Sequence, residues 1–165
     1  MMAIRVGLGF DVHPFAEGRP LVLGGVVIPD ARGLAGHSDA DAVAHAVADA
    51  LLGAAGLPDL GTLYPASADD HKDASSVGFL VDIAGRLAAD GWTVANVDVV
   101  IAAEAPRLAP HVAAIAAGVA AALDAVRDPA DDAVPVSVGP KRGEGLGAIG
   151  RAEGIAAWAV ALLQR

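Results

Sequence analysis

Gly36-His-Ser-Asp-Ala-Asp-Ala-Val-Ala-His-Ala-Val-Ala-Asp-Ala-Leu-Leu-Gly-Ala-Ala-Gly56 is the stretch from which the rest of the chain is read. Ser38 is a good N-cap, with Asp41 three residues later in the capping-box position. Ala42, Val43, Ala46, Val47, Ala50, Leu51 and Ala54 then recur at helical spacing, and Gly56 supplies the stop. The segment predicts an alanine-rich helix, with His45 on a side that is otherwise alanine and valine. An imidazole in such surroundings needs a polar partner. Upstream, Ile4 to Asp11 reads as a strand, and Asp11 and His13 lie two residues apart in Gly-Phe-Asp-Val-His-Pro. Side chains at i and i+2 of an extended segment point the same way. Asp11, His13 and His45 are thus a candidate divalent-metal site with a fourth position open, the arrangement of a catalytic zinc. A turn-capping carboxylate with two core histidines is the competing reading, and the residues alone leave it open. His37 precedes the cap and can face the same cleft. Asp39 and Asp41 can hold ligand histidines in one tautomer, or simply favour the positive end of the helix.

Working outward, Leu21 to Ile28 reads as a second strand, with Gly24-Gly25 marking a bulge or close backbone approach. Pro58 to Ser76 is polar, carries Asp69-Asp70-His71-Lys72, and reads as a long mobile loop of a length often tied to function. A helix over Ser76 to Asp90, ended by Gly91, a buried strand over Trp92 to Ala102 and a helix over Val112 to Val126 follow. Val134, Val136 and Val138 alternate with Pro135 and Ser137 as a short strand. Arg151 to Leu163 reads as a closing amphipathic helix. No linker divides the chain, so a single domain over residues 1–165 is expected. Its class is an α/β sandwich with a mixed sheet and an early hairpin.

Hydrophobic residues make up 55% of the 165 positions but aromatics only 4%. Alanine and valine therefore fill the core, and the layers should pack close together. A net charge of -9 argues against nucleic-acid partners. An anionic small substrate remains open, because a metal or a helix N-terminus reverses the local field. With no cysteine, disulfides and thiolate ligands are excluded and a cytoplasmic address is allowed. No apolar run reaches the roughly 18 residues of a membrane span, and Met-Met-Ala-Ile-Arg runs straight into a strand pattern, so neither a membrane partner nor a signal peptide is expected.

Two further segments attract attention. Gly139 to Gly154 is glycine-rich, and a helix beginning near Arg151 would offer free N–H groups to an anion, joined by Lys141, Arg142 and Arg151. An ordinary turn-rich connection with solvated charges is the alternative. Ala103-Glu-Ala-Pro-Arg-Leu108 joins a buried strand to a helix, a place where α/β proteins often bind ligands, although a proline-started helix explains it equally.

Taken in order, Gly-Phe-Asp-Val-His, Leu-Ala-Gly-His-Ser-Asp-Ala-Asp, Asp-Ala-Leu-Leu-Gly-Ala-Ala-Gly-Leu-Pro-Asp-Leu-Gly, Asn-Val-Asp-Val, Ala-Pro-Arg-Leu, Glu-Gly-Leu-Gly and Gly-Arg-Ala-Glu-Gly-Ile resemble the 2-C-methyl-D-erythritol 2,4-cyclodiphosphate synthase family, from Arg5 to Leu163. The resemblance implies a mixed four-stranded sheet covered by helices, a small hairpin, and a homotrimer with the sheets facing the three-fold axis and active sites between subunits. It implies cyclisation of 4-diphosphocytidyl-2-C-methyl-D-erythritol 2-phosphate with release of CMP, in the non-mevalonate isoprenoid pathway. Carried over residue by residue, Asp11, His13 and His45 bind zinc, with Asp11 and His13 also contacting substrate, and Glu144, a catalytic candidate, holds magnesium or manganese. His37 and Ser38 lie against the substrate, with His37 helping to stabilise the transition state. Asp59, Leu60, Gly61 and Tyr64 take the methylerythritol group, and Ala103, Pro106, Arg107, Leu108 and Ala109 the cytidine. Arg142, Gly143 and Arg151 are substrate contacts, Lys141 and Arg142 being catalytic candidates. Lys141-Arg142-Gly143 stands where the family has threonines, Tyr64 for a common Phe, Ala66 and Ala68 for acids, Arg107 for Lys and Ala148 for a bulkier residue. Those departures keep two alternatives in view: a relative acting on another phosphorylated substrate, and a non-catalytic trimer that binds a nucleotide or prenyl phosphate.

Overall fold

Strand β1 (Ile4–Ala16) sets the architecture by alternation: Gly7 and Gly9 are buried on one face, Ile4, Val6, Leu8, Phe10 and Val12 exposed on the other. The structure, a computed structural model, describes residues 2–65 and 74–165. After β1 come β2 (Leu21–Leu23), β3 (Val26–Ile28) and the two-residue β4 (Gly33–Leu34). Then follow α1 (Ala42–Ala55), the short α2 (Leu60–Leu63), α3 (Ser76–Ala89), β5 (Thr93–Ala102), α4 (Val112–Asp124), β6 (Val136–Lys141), α5 (Gly147–Gly150) and β7 (Gly154–Gln164). The main sheet runs β4-β1-β7-β5-β6, mixed because β5 and β6 are parallel while β7 is antiparallel to both neighbours. It has four long strands, the number the resemblance implies, though one of them, β7, was expected as a helix; β4 adds two residues at the β1 edge.

The close packing expected of an alanine core is realised where α1 lies on β1. A methyl group at Gly7 would stand 1.9 Å from the Ala50 carbonyl oxygen, and one at Gly9 1.9 Å from that of Ala46. Only glycine lets the helix backbone come this near. Ala46 and Ala50 on the helix, and Ala157, Ala159 and Ala161 on β7, complete this buried layer. Seating α1 here brings His45 over the end of β1 that carries Asp11 and His13.

The closing helix expected over Arg151 to Leu163 is instead the central strand β7. It pairs with β1 from Ile4↔Gln164 to Pro14↔Gly154 and with β5 along its other side. Alanine is a strong helix former, but intrinsic propensity is a small term that pairing with two neighbouring strands outweighs. Arg151 consequently caps the end of α5 rather than opening a long helix, so the free N–H groups expected there are absent. Two smaller corrections concern the first half. Leu21 to Ile28 is a hairpin of β2 and β3, turned at Gly24 and Gly25, not one strand. Asp41, not Ser38, is the N-cap of α1: its buried carboxylate accepts from the N–H groups of Val43 (3.1 Å), Ala44 (3.0 Å), Gly24 (2.9 Å) and Gly25 (2.7 Å). One side chain thus starts the helix and anchors the hairpin turn.

Candidate functional site

Extended backbone at Asp11 and His13 aims both side chains at the helix-covered face of the sheet, and α1 lowers His45 onto them. Asp11 Oδ2 lies 2.8 Å from His13 Nε2 and 3.0 Å from His45 Nδ1, and the two nitrogens are 3.2 Å apart. Three donor atoms at the corners of a nearly equilateral triangle suit one face of a tetrahedron; bonds of about 2.0–2.1 Å to zinc give edges of about 3.3 Å. The neighbours of the histidines fit the same role. His13 Nδ1 is 2.7 Å from the Ala35 carbonyl oxygen, which can only accept, so Nδ1 carries the proton and Nε2 presents its lone pair. With His13 Nε2 an acceptor beside the Asp11 carboxylate, the three groups need a cation at their centre, a shared proton or a metal ion. Burial pushes the Asp11 carboxyl up, but hydrogen bonds and charge from His13 and His45 outweigh it and hold that carboxyl well below its usual range. Burial likewise lowers His13, and the hydrogen bond and charge of Asp11 more than reverse this. The donor set therefore fits zinc, with one side open to a cavity of about 220 Å³.

That cavity is lined by His13, His37, Ser38, His45, Leu60, Gly61, Tyr64 and Phe79. It gathers most of the residues expected to meet the methylerythritol end. Asp59 stands at its edge as N-cap of α2, its carboxylate accepting from Thr62 N–H at 2.8 Å. Leu60 and Gly61 are held in place from α1, where Asp49 accepts the Leu60 N–H at 2.8 Å. Tyr64 packs on Phe79, ring centroids 4.6 Å apart, and donates its hydroxyl to Asp82, which also accepts from Arg86 Nε at 2.9 Å. Ala66, Ala68 and the Asp69–Lys72 cluster lie outside the described residues.

A second cavity of about 600 Å³ opens between the ends of β5 and β6, lined by Ala103, Glu104, Pro106, Arg107, Leu108, Ala109, Pro140, Lys141 and Arg142. All the expected cytidine-pocket residues meet here. Glu104 pairs with the Arg142 guanidinium and accepts the Gly143 N–H at 3.1 Å; the Arg142 hydrogen bond holds the Glu104 carboxyl below its usual range. Glu144, next in the chain to Gly143, is exposed with φ 51°. Arg151 lies apart, its Nε 2.6 Å from Glu153. Sequence reasoning gave no pairing to Ser76, to Glu104 within the Ala103 to Leu108 segment, or to Asp49. Their partners are 31, 38 and 11 residues away, beyond any local spacing rule.

The cavities share no lining residue. Lys141 pairs in register with Ala102, Ala102 with Ala156 and Ala156 with Val12. Lys141 therefore points to the sheet face opposite Asp11 and His13, three strand spacings or about 14 Å away.

Comparison with known proteins agrees with this geometry. The YgbB family model matches residues 4–164. A 2-C-methyl-D-erythritol 2,4-cyclodiphosphate synthase of Bordetella petrii is 48% identical over 161 residues, covering 98% of this chain and 96% of its own. One of Rubrobacter xylanophilus is 52% identical over 168 residues, covering 100% and 98%. Among solved structures, a CDP complex of Plasmodium falciparum IspF superposes with TM-score 0.79 at 31% identity, covering 98% of this chain and 96% of that one. The bifunctional IspDF of Campylobacter jejuni gives TM-score 0.90 at 37% identity over 99% of this chain, which spans 43% of that longer protein. With the match running nearly end to end and these relatives about half identical over their full length, the chain belongs to the YgbB family, among the 2-C-methyl-D-erythritol 2,4-cyclodiphosphate synthases.

Proposed function

We propose that this chain is a phosphorus–oxygen lyase that converts 4-diphosphocytidyl-2-C-methyl-D-erythritol 2-phosphate to 2-C-methyl-D-erythritol 2,4-cyclodiphosphate and CMP in the non-mevalonate isoprenoid pathway. The convergence of Asp11 Oδ2, His13 Nε2 and His45 Nδ1 beside a cavity sized for a small polyol carries this reading. An oxygen of the 2-phosphate bonds to the β-phosphorus as the bond from that phosphorus to the oxygen shared with the α-phosphate breaks, and that oxygen leaves with CMP. Asp11, His13 and His45 would hold zinc and Glu144 magnesium or manganese, ions that polarise phosphate oxygens and absorb developing charge. His37 and Ser38 orient the reacting phosphate; Asp59, Leu60, Gly61 and Tyr64 bind the methylerythritol group. Ala103, Pro106, Arg107, Leu108, Ala109 and Gly143 enclose the cytidine end, and Lys141 and Arg142 donate to the diphosphate where relatives use hydroxyls.

A substrate that touches both cavities is read as drawing the second from a neighbouring copy, since within one copy they share no lining residue and Lys141 stands three strands away from β1 on the other sheet face. The outer face of β1 and β7 supports self-association: Leu8 is 68% exposed and Val6 63%, alongside Ile4, Phe10, Val12, Trp158 and Val160. Such an apolar strip calls for a partner surface. The assembly is a homotrimer with these faces toward the axis and Arg151 near it, and it acts in the cytoplasm; no helix among the described residues is long and apolar enough to cross a membrane. Sedimentation at monomer mass would remove the trimer.

The deciding experiment incubates zinc-loaded protein with the cytidylyl substrate and magnesium and follows CMP and cyclic product by mass. Catalytic release of both is expected. CDP binding without turnover would favour instead a relative that uses another phosphorylated substrate, a reading the Lys141-Arg142-Gly143 segment keeps in play.

A further inference from the structure

The proton on His45 is dictated from outside the metal triangle. Asp39 accepts twice from Ser76: the backbone N–H reaches Oδ2 at 3.0 Å and the hydroxyl donates to Oδ1. Oδ1 also accepts the Asp41 N–H at 3.2 Å. An ionised carboxylate donates nothing, so the Ser76 hydroxyl proton is committed to Asp39 and the Ser76 oxygen has only lone pairs left. His45 Nε2 lies 2.8 Å from that oxygen and must donate to it. Ser38 Oγ, which accepts the Ala40 N–H at 3.2 Å, is 3.2 Å from both Ser76 Oγ and His45 Nε2, and its own proton satisfies a Ser76 lone pair. With Nε2 protonated, Nδ1 is left bare toward Asp11 and His13.

We propose that Ser76, oriented by Asp39, is a positioning residue that locks His45 in the tautomer offering Nδ1 to the metal, and that it ties the first turn of α3 to the metal centre. The two ligand histidines are held differently. His13 relies on the Ala35 backbone carbonyl, which no side-chain substitution removes. His45 relies on a fully buried hydroxyl, 0% exposed, backed by a carboxylate, and a single substitution can reverse that relay. In Asp39→Asn only one of the two contacts to Ser76 can keep an oxygen acceptor. When that oxygen serves the Ser76 N–H, the amide NH₂ faces the Ser76 hydroxyl and turns its proton toward His45 Nε2.

This inference rests on the metal reading, and one titration separates the two. Zinc affinity is measured against a chromophoric chelator for the unaltered protein, Ser76→Ala and Asp39→Asn. The ring N–H protons of the zinc-loaded forms are followed by nitrogen-15 NMR. Expected are a loss of affinity of about 10- to 100-fold in both variants and fast solvent exchange of the His45 Nε2 proton. The His13 Nδ1 proton, bonded to Ala35, stays protected and certifies that the fold is intact. Unaltered protein that binds no zinc overturns the metal reading and this inference together. Zinc binding by the unaltered protein, with equal affinity and equal His45 protection in both variants, overturns the inference alone.

Discussion

The two cavities are built on different terms. At the β1 end, donor atoms on a strand and a helix are fixed by close backbone packing and by buried hydrogen bonds, with Asp11, His13 and His45 only 14–23% exposed. At the β5–β6 end, Lys141 at the tip of β6 and Arg142 and Glu144 just beyond it are exposed, and the strand ends are joined by the Ala103 N–H to the Lys141 carbonyl at 2.9 Å, by the ion pair of Glu104 with the exposed Arg142 and by the Gly143 N–H to Glu104. The first cavity is preorganised, so its donors tolerate little change. The second is a charged rim around an open space, where the kind of phosphate donor can change without disturbing the core. Lys141-Arg142-Gly143 and Arg107, read from the sequence as departures from the family's pattern, fall at this second end.

Breaking the rigid end should have the largest effect. In Gly9→Ala the new methyl meets the Ala46 carbonyl 1.9 Å away, so α1 must lift and carry His45 from Asp11. Overpacking of this kind costs about 3 kcal/mol or more, a fall in Tm of about 6–12 °C at this chain length, with zinc affinity falling too. Calorimetry and a zinc titration check both; unchanged values in the two would show that these glycines do not seat the helix.

Next comes the adaptable end. Replacing Lys141 and Arg142 together by alanine should abolish turnover and leave zinc content unchanged, because neither residue touches the metal triangle. Metal analysis alongside CMP release decides it, and retained turnover would mean that the diphosphate finds its donors elsewhere. A smaller effect is expected from Glu104→Ala. Arg142 loses its ion-pair partner and the Gly143 N–H its acceptor, but the pair is on the surface, so CDP affinity should weaken only about two- to five-fold. A loss as large as that of the double variant would make the ion pair, rather than the cations, the main element of the rim.

The same contrast governs what could be read from the residues. Asp11, His13 and His45 were legible because a two-residue strand spacing and a capped helix are local patterns. The second cavity came into view through Ala103 to Leu108 and through the family resemblance, while the pairings of Glu104 with Arg142 and of Ser76 with His45 stayed hidden because the partners are distant in the chain. Strand β7 was misread for a related reason. Alanine satisfies a helix, and what makes Gly154–Gln164 a strand is the presence of β1 and β5 on either side. One local signal did exist: bulky Trp158, Val160 and Leu162 alternate with Ala157, Ala159 and Ala161, a period of two that also separates the outer face from the face beneath α1.

The smallest effect is expected at Tyr64, on the boundary between rigid and adaptable parts. Tyr64→Phe keeps the ring against Phe79 and removes the hydroxyl bond to Asp82, which retains Arg86. Stability and turnover should therefore change little. Burial first, and then the Asp82 carboxylate, push the phenol up to about 12 from an ordinary value of 10.0. The neutral phenol is the form favoured by folding, so its contribution is complete below pH 10 and disappears as pH rises from 10 toward 12. Tyr64 is the only tyrosine in the chain, so tyrosinate absorbance reports this group alone, and Asp82→Ala should lower its midpoint while leaving the burial component in place. A midpoint that Asp82→Ala leaves unchanged would mean that the hydroxyl does not engage Asp82. The wall of the metal-side cavity would then owe nothing at this point to the Asp82 bond.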